Sequence, residues 1–486
     1  MAIIFVLTFS HVDSTFLKNT NKINSNDQWE IKMVDSFGEV GYYSDITISD
    51  EVSYISYFDS SSKNLKISKI ENDKITRETI DSEGEVGYYT SIDSDSKENL
   101  HISYYDKTNG DLKYAFYKDN KWNIKNIDTE GDTGLDTSIC IDSNDNPHIS
   151  YYDKTNGDLK YAFYTNNNWI IETVDTNDNT GLETSIAIDD SDNPHISYKN
   201  NIDGYLYYAY KQDNNWIISS VDTDCIVSGS TSIALDKSNN PNIIYYDVKP
   251  PNENRNLRHA YISNSEWNID IIRPDLKHFY NIEGVGIKID RFERIHVTFF
   301  NWEHWDLNYA YKIDKEWYIE EVDTEGMVGS YATIAIDEEC YPHIGYMDNN
   351  NLALKYAKKI QYSPNKPEIP SGPNNCKLNT ECKFSTKSYD FDDDKIRYKW
   401  DFGDGSNIDW SDYYNQGEEV EITHIWSENK IYQVRVKAED TNGYESKWSD
   451  SLSVTVSKSK SINNQLLYFL EDYPQIFKIF KLITRI

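Results

Sequence analysis

Basic residues are scarce in this chain of 486 residues, and their scarcity excludes one class of partner. Lysine and arginine together number 48, of which nine are arginine, against 81 acidic residues, so the net charge is −33. A surface of this charge repels phosphate backbones, and so few arginines give little counterion release. We therefore expect no nucleic-acid partner.

Cysteine and methionine are also scarce, at five and four residues, whereas Asp, Asn and Tyr are abundant. This composition is typical of an exported protein, so we expect an extracellular or cell-surface location. We expect Cys140 to be a small buried residue within a strand, and Cys225 and Cys340 to lie in loops. Cys376 and Cys382 are predicted to form a disulfide, with two free thiols as the alternative, because a metal site would need further ligands.

Long apolar runs are absent except near the two ends of the chain. Residues 1–9 are apolar and are followed by Val12-Asp-Ser14, which resembles a secretory signal without its basic start. We therefore assign residues 1–26 to a signal-like segment and leader. The alternative is a buried extra strand.

The chain is rich in internal repetition. A valine or isoleucine, followed by aspartate in most copies, marks each unit at Val34, Ile80, Ile127, Val174, Val221, Ile272 and Val322. The steps between these positions are 46, 47, 47, 47, 51 and 50 residues, which makes seven copies. A period of this size indicates a repeat fold.

Each copy contains four short segments of alternating polarity, separated by turns rich in Asn, Asp and Gly. We name these strands A to D in chain order. Four-stranded units of this length are typical of a β-propeller. The seventh copy stops at Ala357 without strand D, whereas Trp29–Val34 supplies such a strand at the other end. We predict an all-β fold in which residues 27–360 form a seven-bladed propeller whose last blade is closed by the N-terminal strand.

A second domain follows a linker rich in Pro and Gly at residues 361–373. Its segments Tyr398-Lys-Trp-Asp-Phe-Gly-Asp-Gly405, Thr423–Trp426 and Tyr432–Asp440 resemble the PKD (polycystic-kidney-disease-type) domain, an Ig-like β-sandwich of surface and secreted proteins. The whole chain resembles archaeal exported and cell-surface PKD proteins. This resemblance implies a sandwich over residues 374–457 that acts as a spacer or contact module rather than as a catalyst.

An acidic cluster stands where that family carries an acidic loop, and it consists of Asp390, Asp392, Asp393 and Asp394. Carboxylate oxygens at this spacing are able to hold Ca²⁺, the only cofactor that we expect. The glycine of the family loop is replaced here, so a solvated acidic turn is the alternative.

The tail, residues 458–486, has an amphipathic pattern. On a helix, basic and apolar residues fall on separate faces, with Lys478, Lys481 and Arg485 on one and Ile476, Phe480 and Ile483 on the other. We predict a short C-terminal helix that contacts an anionic membrane surface, with docking on the protein itself as the alternative. The twelve residues after Pro474 are too few to span a bilayer.

Departures from the repeat concentrate in blades five and six. In a propeller, the D-to-A and B-to-C connections share one face, and on that face residues 248–256 and 273–280 contain insertions. Blade six also reads Trp302-Glu-His-Trp305 where other blades carry Lys-Thr-Asn-Gly. We predict a ligand-binding patch of exposed aromatic and basic side chains there, formed by Arg255, Arg258, Arg273, His278, Trp302, His304 and Trp305. The alternative is that longer loops simply fold over one another.

Other polar residues recur from blade to blade, which favours a structural role. Histidines recur at the start of strand B, at positions 101, 148, 195, 296 and 343, and we expect each to make the same hydrogen bond in its own blade. Aspartates recur in the A-to-B turns and at the end of strand B, and we expect them to stabilise turns.

These observations favour a non-catalytic exported binding or adhesion protein. Its propeller would engage a glycan or a surface protein, and its second domain would act as a spacer or contact module. The alternative is a glycoside-acting enzyme, a hydrolase or lyase, with its site on the propeller face of the D-to-A loops. We find no serine-hydrolase, metallohydrolase or sialidase-type motif, and we assign no catalytic residue.

Overall fold

The computed structural model describes residues 22–23, 28–72, 74–177, 179–248, 255–276, 284–313, 315–360, 362–390, 392, 394–406, 409–458, 472 and 475–476. The chain divides into two compact units, Met1–Ile360 and Gln361–Ile486. The predicted leader and the predicted C-terminal helix fall almost wholly outside the described residues. Within the described ranges, no helix is long and apolar enough to cross a membrane.

Seven antiparallel sheets make up the first unit, and in each of them strand A lies nearest the central channel. Two strands come first, β1 (Lys22–Ile23) and β2 (Trp29–Asp35). Blade one contains β3 (Val40–Ser49), β4 (Val52–Asp59), β5 (Asn64–Glu71) and β6 (Lys74–Asp81). Blade two contains β7 (Val86–Ser94), β8 (Leu100–Asp106), β9 (Asp111–Lys118) and β10 (Lys121–Asp128). Blade three contains β11 (Thr133–Ile141), β12 (Pro147–Asp153), β13 (Asp158–Thr165) and β14 (Asn168–Asp175).

The remaining blades continue the same order. Blade four contains β15 (Thr180–Ile188), β16 (Pro194–Asn200), β17 (Leu206–Gln212) and β18 (Asn215–Asp222). Blade five contains β19 (Ile226–Leu235), β20 (Pro241–Val248), β21 (Arg255–Ser263) and β22 (Glu266–Leu276). Blade six contains β23 (Val285–Ile289), β24 (Ile295–Asn301), β25 (Asp306–Ile313) and β26 (Glu316–Asp323). Blade seven contains β27 (Val328–Ile336), β28 (Pro342–Asp348) and β29 (Ala353–Lys359).

The N-terminal strand completes blade seven. Strand β2 pairs antiparallel with β29, with Trp29 opposite Lys359 and Asp35 opposite Leu354. Trp29 and Val34 are buried, so the strand contributes to the core and not only to the hydrogen-bond ladder. The predicted seven-bladed propeller, closed by its N-terminal strand, is therefore confirmed.

The repeated tryptophan of strand D joins neighbouring blades. Its ring packs edge-on against a tyrosine of strand C in the preceding blade, as in Trp169–Tyr114 at 5.0 Å and Trp216–Tyr161 at 5.2 Å between ring centroids. Edge-to-face aromatic pairs add to the free energy gained by burying their surface. The same contact joins Trp267 to Tyr208 and Trp29 to Tyr309, so the tryptophan recurs where it joins neighbouring blades.

A buried carboxylate makes a second repeated contact between blades. The aspartate that ends strand D accepts a hydrogen bond of 2.6–2.8 Å from a tyrosine hydroxyl of the next blade, in six pairs: Asp35–Tyr57, Asp81–Tyr104, Asp128–Tyr151, Asp175–Tyr198, Asp222–Tyr245 and Asp323–Tyr346. In five of these pairs a basic side chain of strand C also bonds the carboxylate, namely Lys66, Lys113, Lys160, Arg258 or Lys355. This interblade aspartate explains the Val-Asp signature of the repeat.

The junction between blades five and six lacks the interblade aspartate and its partners. Arg273, Phe299 and Asn308 stand where the other junctions carry Asp, Tyr and, in five of six cases, a basic residue. Phe299 instead lies in an apolar core with Phe300 and Trp302. A buried ion pair can be exchanged for apolar packing without loss when all members change together, which is the pattern found here.

The second unit is an Ig-like sandwich of two sheets. Its strands are β30 (Asn375–Lys377), β31 (Cys382–Thr386), β32 (Ile396–Asp401), β33 (Val420–His424), β34 (Ile431–Asp440) and β35 (Leu452–Ser457). Trp400, Phe402, Trp426 and Val434 fill the core, and a disulfide joins Cys376 to Cys382.

Part of the predicted linker lies on this sandwich. The backbone N–H groups of Asn365, Glu368 and Ser371 donate hydrogen bonds to carbonyl oxygens of residues 389, 387 and 385. These bonds add the segment to the sandwich as an extended edge.

Candidate functional site

The recurring histidines are structural, as predicted. Each Nδ1 is hydrogen-bonded at 2.5–2.7 Å to a tyrosine hydroxyl of strand C in the same blade, in the pairs His101–Tyr114, His148–Tyr161, His195–Tyr208, His296–Tyr309 and His343–Tyr356. Each Nε2 faces the aspartate of its own A-to-B turn, at 3.0 Å in the case of His343 and Asp337. Burial lowers the pKa of all five imidazoles, which favours the neutral form.

The recurring aspartates at the end of strand B stabilise turns, also as predicted. Asp106 Oδ1 accepts hydrogen bonds from the backbone N–H groups of Thr108 and Asn109 at 3.0 and 3.2 Å. Asp153 does the same for the equivalent turn of blade three. None of these carboxylates is free to act on a ligand.

The structure corrects the predicted ligand-binding patch in blades five and six. Trp302 was expected to be exposed, but only 2% of its surface is accessible, because the turn directs its ring into the core beside Phe300. Arg255 is buried as well, with its guanidinium over the Trp302 ring at 5.2 Å. Arg258 is the basic partner of the interblade aspartate Asp222. These three side chains therefore serve packing and ion pairing.

The other members of the predicted patch are dispersed. Arg273 approaches Glu303 at 3.5 Å, Trp305 is half-buried, and His304 is exposed beside two carboxylates. His278 and most of the two inserted loops lie outside the described residues. The described residues therefore do not form an exposed aromatic platform on blade six.

A different set of side chains surrounds the channel mouth on the face of the D-to-A loops. Strand A has a bulge near its start in blades one to five and in blade seven. The residue at this position in blades one to seven is Tyr43, Tyr89, Asp136, Glu183, Ser230, Gly284 and Tyr331. Five of these residues adopt positive φ angles of 49–53°, namely Tyr43, Tyr89, Asp136, Glu183 and Tyr331. This conformation is costly for residues other than glycine, and such residues concentrate at functional sites.

In blades three and four the residues that flank the bulge are the same, whereas the bulge residue changes. Thr133-Gly134-Leu135 in blade three matches Thr180-Gly181-Leu182 in blade four, with a threonine and a serine after each bulge residue. A packing role would require the same bulge residue in each blade. The variation therefore indicates a surface that differs around the ring, which is what an asymmetric ligand requires.

Tyrosines line one side of the mouth. The rings of Tyr43 and Tyr89 lie 4.6 Å apart, and those of Tyr43 and Tyr331 lie 5.0 Å apart, measured between centroids. All three side chains are half-buried, so a part of each ring faces the channel. We call these residues the tyrosine arc.

Two carboxylates lie on the other side of the mouth. Asp136 Oδ2 accepts a hydrogen bond from the backbone N–H of Glu183 at 3.0 Å, which joins blades three and four. The enclosure of the mouth raises the pKa of Asp136 to about 6, against the effect of that hydrogen bond and of Lys199. We call Asp136 and Glu183 the carboxylate pair. Ser230 and Gly284 complete the ring and leave space between the pair and the arc.

The channel below the mouth is a cavity of about 480 Å³ lined by all seven A strands. Asp45 bridges three blades, because its carboxylate accepts hydrogen bonds from Ser91 Oγ at 2.9 Å and Thr333 Oγ1 at 2.6 Å. Cys140 also lines this channel and is only half-buried, which corrects the prediction of a buried residue. Burial raises the pKa of its thiol.

The predicted calcium loop of the second unit brings three of its four aspartates together. One carboxylate oxygen each of Asp390, Asp392 and Asp394 lies within 4.8 Å of the others, while Asp393 is outside the described residues. Asp390 is buried, and its Oδ2 accepts no hydrogen bond from the described residues. Burial, and to a smaller extent Asp392, raise the pKa of Asp390 to about 7. The donor set suits Ca²⁺, which prefers carboxylate oxygens.

Fold and mouth together define a seven-bladed β-propeller protein with an aromatic and acidic channel entrance. Its C-terminal unit belongs to the PKD domain family, whose model matches residues 365–456. The chain covers 100% of the PKD domain of an M14-like peptidase from Thermoplasmatales archaeon SCGC AB-540-F20, at 36% identity over 20% of this chain and a TM-score of 0.20.

Among solved structures, the propeller is similar to two enzymes of low identity. An alpha-L-arabinanase of Penicillium chrysogenum is 10% identical with a TM-score of 0.41, over 56% of this chain and 92% of that one. The GH93 alpha-L-arabinofuranosidase of Fusarium graminearum is 10% identical with a TM-score of 0.38, over the same shares. Comparison with curated proteins gives no match.

Proposed function

We propose that this chain is a carbohydrate-binding protein of the cell exterior, which holds a neutral sugar chain at the mouth of its propeller channel. The observation that carries the proposal is the composition of the mouth, with the tyrosine arc facing the carboxylate pair. Aromatic faces accept the apolar side of a sugar ring, and carboxylates accept hydrogen bonds from its hydroxyl groups.

Charge restricts the class of sugar. The carboxylate pair lies in a molecule of net charge −33, so an anionic glycan would be repelled both at long range and at the site. Neutral oligosaccharides avoid this cost. We therefore expect a preference for neutral over sulfated or uronic-acid-containing chains.

The proposed location rests on the second unit. PKD domains are known as modules of surface and secreted proteins, and the disulfide between Cys376 and Cys382 suits an oxidising compartment. In this proposal the second unit serves as a spacer or contact module. The propeller carries the binding site.

Binding to a panel of neutral oligosaccharides tests the proposal. Tyr43→Ala and Tyr331→Ala should each weaken binding at least about tenfold, which is the effect of removing one aromatic contact of about 1.4 kcal/mol. Phe292→Ala is the matched control, because Phe292 is 54% exposed on the opposite face, in the A-to-B turn of blade six. Equal loss in the control and the arc variants would contradict a site at the mouth.

A second function is favoured by the carboxylate pair. Asp136, with a pKa of about 6, is suited to donate a proton near neutral pH, and Glu183 in the adjacent blade is a second carboxylate at the same mouth. Glycoside hydrolysis uses two carboxylates in such roles. A glycoside-acting enzyme is therefore the alternative.

Prolonged incubation of the full chain with a bound oligosaccharide separates the two functions. Release of new reducing ends that disappears in both Asp136→Asn and Glu183→Gln would establish the enzyme. Stable binding without release would establish the binding protein.

A further inference from the structure

Blade six contains a cluster of one imidazole and two carboxylates apart from the channel. His304 lies in the turn between β24 and β25, Asp306 is the first residue of β25, and Glu321 lies near the end of β26. One ligand atom of each side chain lies within 4.8 Å of the others. His304 and Glu321 face solvent, so both can adjust their rotamers around a bound ion.

Asp306 is the buried member of this cluster and has no partner among the described residues. Its surface is only 6% exposed, and its carboxylate neither accepts a hydrogen bond nor forms an ion pair within the described part of the chain. Asp306 therefore faces a second carboxylate without a donor from the described residues, and the repulsion between the two charges favours a cation.

Blade two places a hydrogen-bond donor at the same position. There Asp111 accepts a hydrogen bond from Asn126 Nδ2 at 3.2 Å. Blade six carries Glu321 in place of that asparagine, so a donor has been exchanged for a second acceptor. The exchange removes a hydrogen bond and adds a negative charge, which a cation would compensate.

The side chain at position 304 also lacks the hydrogen bond that the equivalent residue makes in blades two and three. In blades two and three this position is asparagine, and its Nδ2 donates to the aspartate that ends strand B, as Asn109 does to Asp106 at 2.9 Å. In blade six the aspartate is replaced by Asn301 and the donor by His304. The imidazole is thereby available beside Asp306, while Trp305, with a φ of 69°, keeps the turn in the left-handed conformation that glycine provides elsewhere.

We propose that His304, Asp306 and Glu321 bind a first-row divalent cation such as Zn²⁺. One nitrogen and two carboxylate oxygens suit Zn²⁺ better than Ca²⁺ or Mg²⁺, which favour ligand sets of oxygen alone. Three protein ligands leave a fourth position for water or for a group of a ligand.

Zinc titration of the untagged full chain by calorimetry tests this proposal. An Asp390→Asn background removes the second candidate cluster, so that blade six alone is measured. His304→Ala, Asp306→Asn and Glu321→Asn should each weaken zinc binding at least about tenfold, and circular dichroism verifies that each variant is folded. Glu321→Asn is the sharpest of the three, since it recreates the Asp–Asn pair of blade two and should fold normally.

Asp111→Asn is the matched control and should bind zinc as the parent does, because Asp111 is the same carboxylate in a blade without the histidine. Two results would overturn the proposal. One is a parent protein that binds no zinc at millimolar concentration, and the other is zinc binding that survives all three substitutions in blade six.

Discussion

The contribution of the interblade aspartate to stability depends on its tyrosine and basic partners. Asp128 accepts hydrogen bonds from Tyr151 Oη at 2.7 Å and Lys160 Nζ at 2.6 Å, and all three are buried or nearly so. Blade six shows that the set can be exchanged as a whole. Removal of a single member is destabilising, because the other members then remain buried with fewer partners.

Asp128→Ala should therefore lower the free energy of unfolding by about 3 kcal/mol, because Tyr151 and Lys160 lose their common acceptor. Tyr151→Phe is the control, since Phe299 occupies this place in blade six, and it should cost only about 1 kcal/mol. Urea denaturation of both variants measures the difference. If both substitutions lowered the free energy of unfolding equally, the ion pair between Asp128 and Lys160 would add nothing to stability.

Acid should destabilise the propeller through the same residues. Burial by itself raises the pKa of Asp81, but Lys113, the Glu83 N–H and Tyr104 together hold it below its ordinary value, and Asp35 behaves alike. A carboxyl whose pKa is lower in the folded state adds stability above the unfolded pKa of about 4, and loses it as the pH falls further. Denaturation midpoints between pH 7 and pH 3 should decline below about pH 4, and less steeply in Asp81→Asn.

At the scale of elements, closure of blade seven by β2 requires the residues up to Asp35. Without residues up to Asp35, the edge of β29 would be unpaired and the pocket for Trp29, Ile31 and Val34 would be empty. Burial of three such side chains contributes on the order of 5 kcal/mol. A chain that starts at residue 36 should therefore unfold at clearly lower temperature and aggregate, whereas a chain that starts at residue 28 should not. If the two truncated chains unfolded at the same temperature, closure of the propeller by β2 would be contradicted.

The acidic loop of the second unit gives another prediction at this scale. If Asp390, Asp392 and Asp394 hold Ca²⁺, calcium at about 100 times its dissociation constant should stabilise that unit by about 2.7 kcal/mol. Scanning calorimetry of the full chain with calcium and with chelator measures the shift. Asp390→Asn should abolish it, and a shift that persists in this variant would place the ion elsewhere.

Much of the element structure could be predicted from the sequence because the repeat provides seven versions of one pattern. The period of 46–51 residues, the missing last strand D and the extra strand at Trp29 define the blades and their closure. The direction of a side chain in a single turn is a different problem. Trp302 was predicted to be exposed because its turn departs from the repeat, yet the backbone at that turn keeps the usual conformation and directs the ring inward.

The face of the channel mouth was predicted as the location of the alternative enzyme site, but the residues of the mouth were not. Tyr43, Asp136 and Glu183 occupy one position of the repeat, and that position varies even between blades three and four, where the residues around it are the same. Such variation resembles drift until the structure shows that the seven residues form a ring. An insertion is readily recognised in a sequence as a departure from the repeat, whereas a single variable position is not.

At the scale of the whole molecule, charge opposes compactness. A net charge of −33 repels itself in the folded state, and salt screens this repulsion over about 10 Å at 0.1 M. The melting temperature should therefore rise by several degrees between low salt and about 0.3 M sodium chloride. The interblade ion pairs are buried and screened much less, so a fall in melting temperature would show that exposed ion pairs outweigh the repulsion.

Closure by the N-terminal strand also bears on how the molecule is made. Trp29 pairs with Lys359, so the first blade strand to leave the ribosome must wait for a partner synthesised 330 residues later. Contacts of such long sequence separation form slowly. If the protein is exported as proposed, one end of the ring stays open until the last repeat has crossed the membrane, and the final blade forms only then.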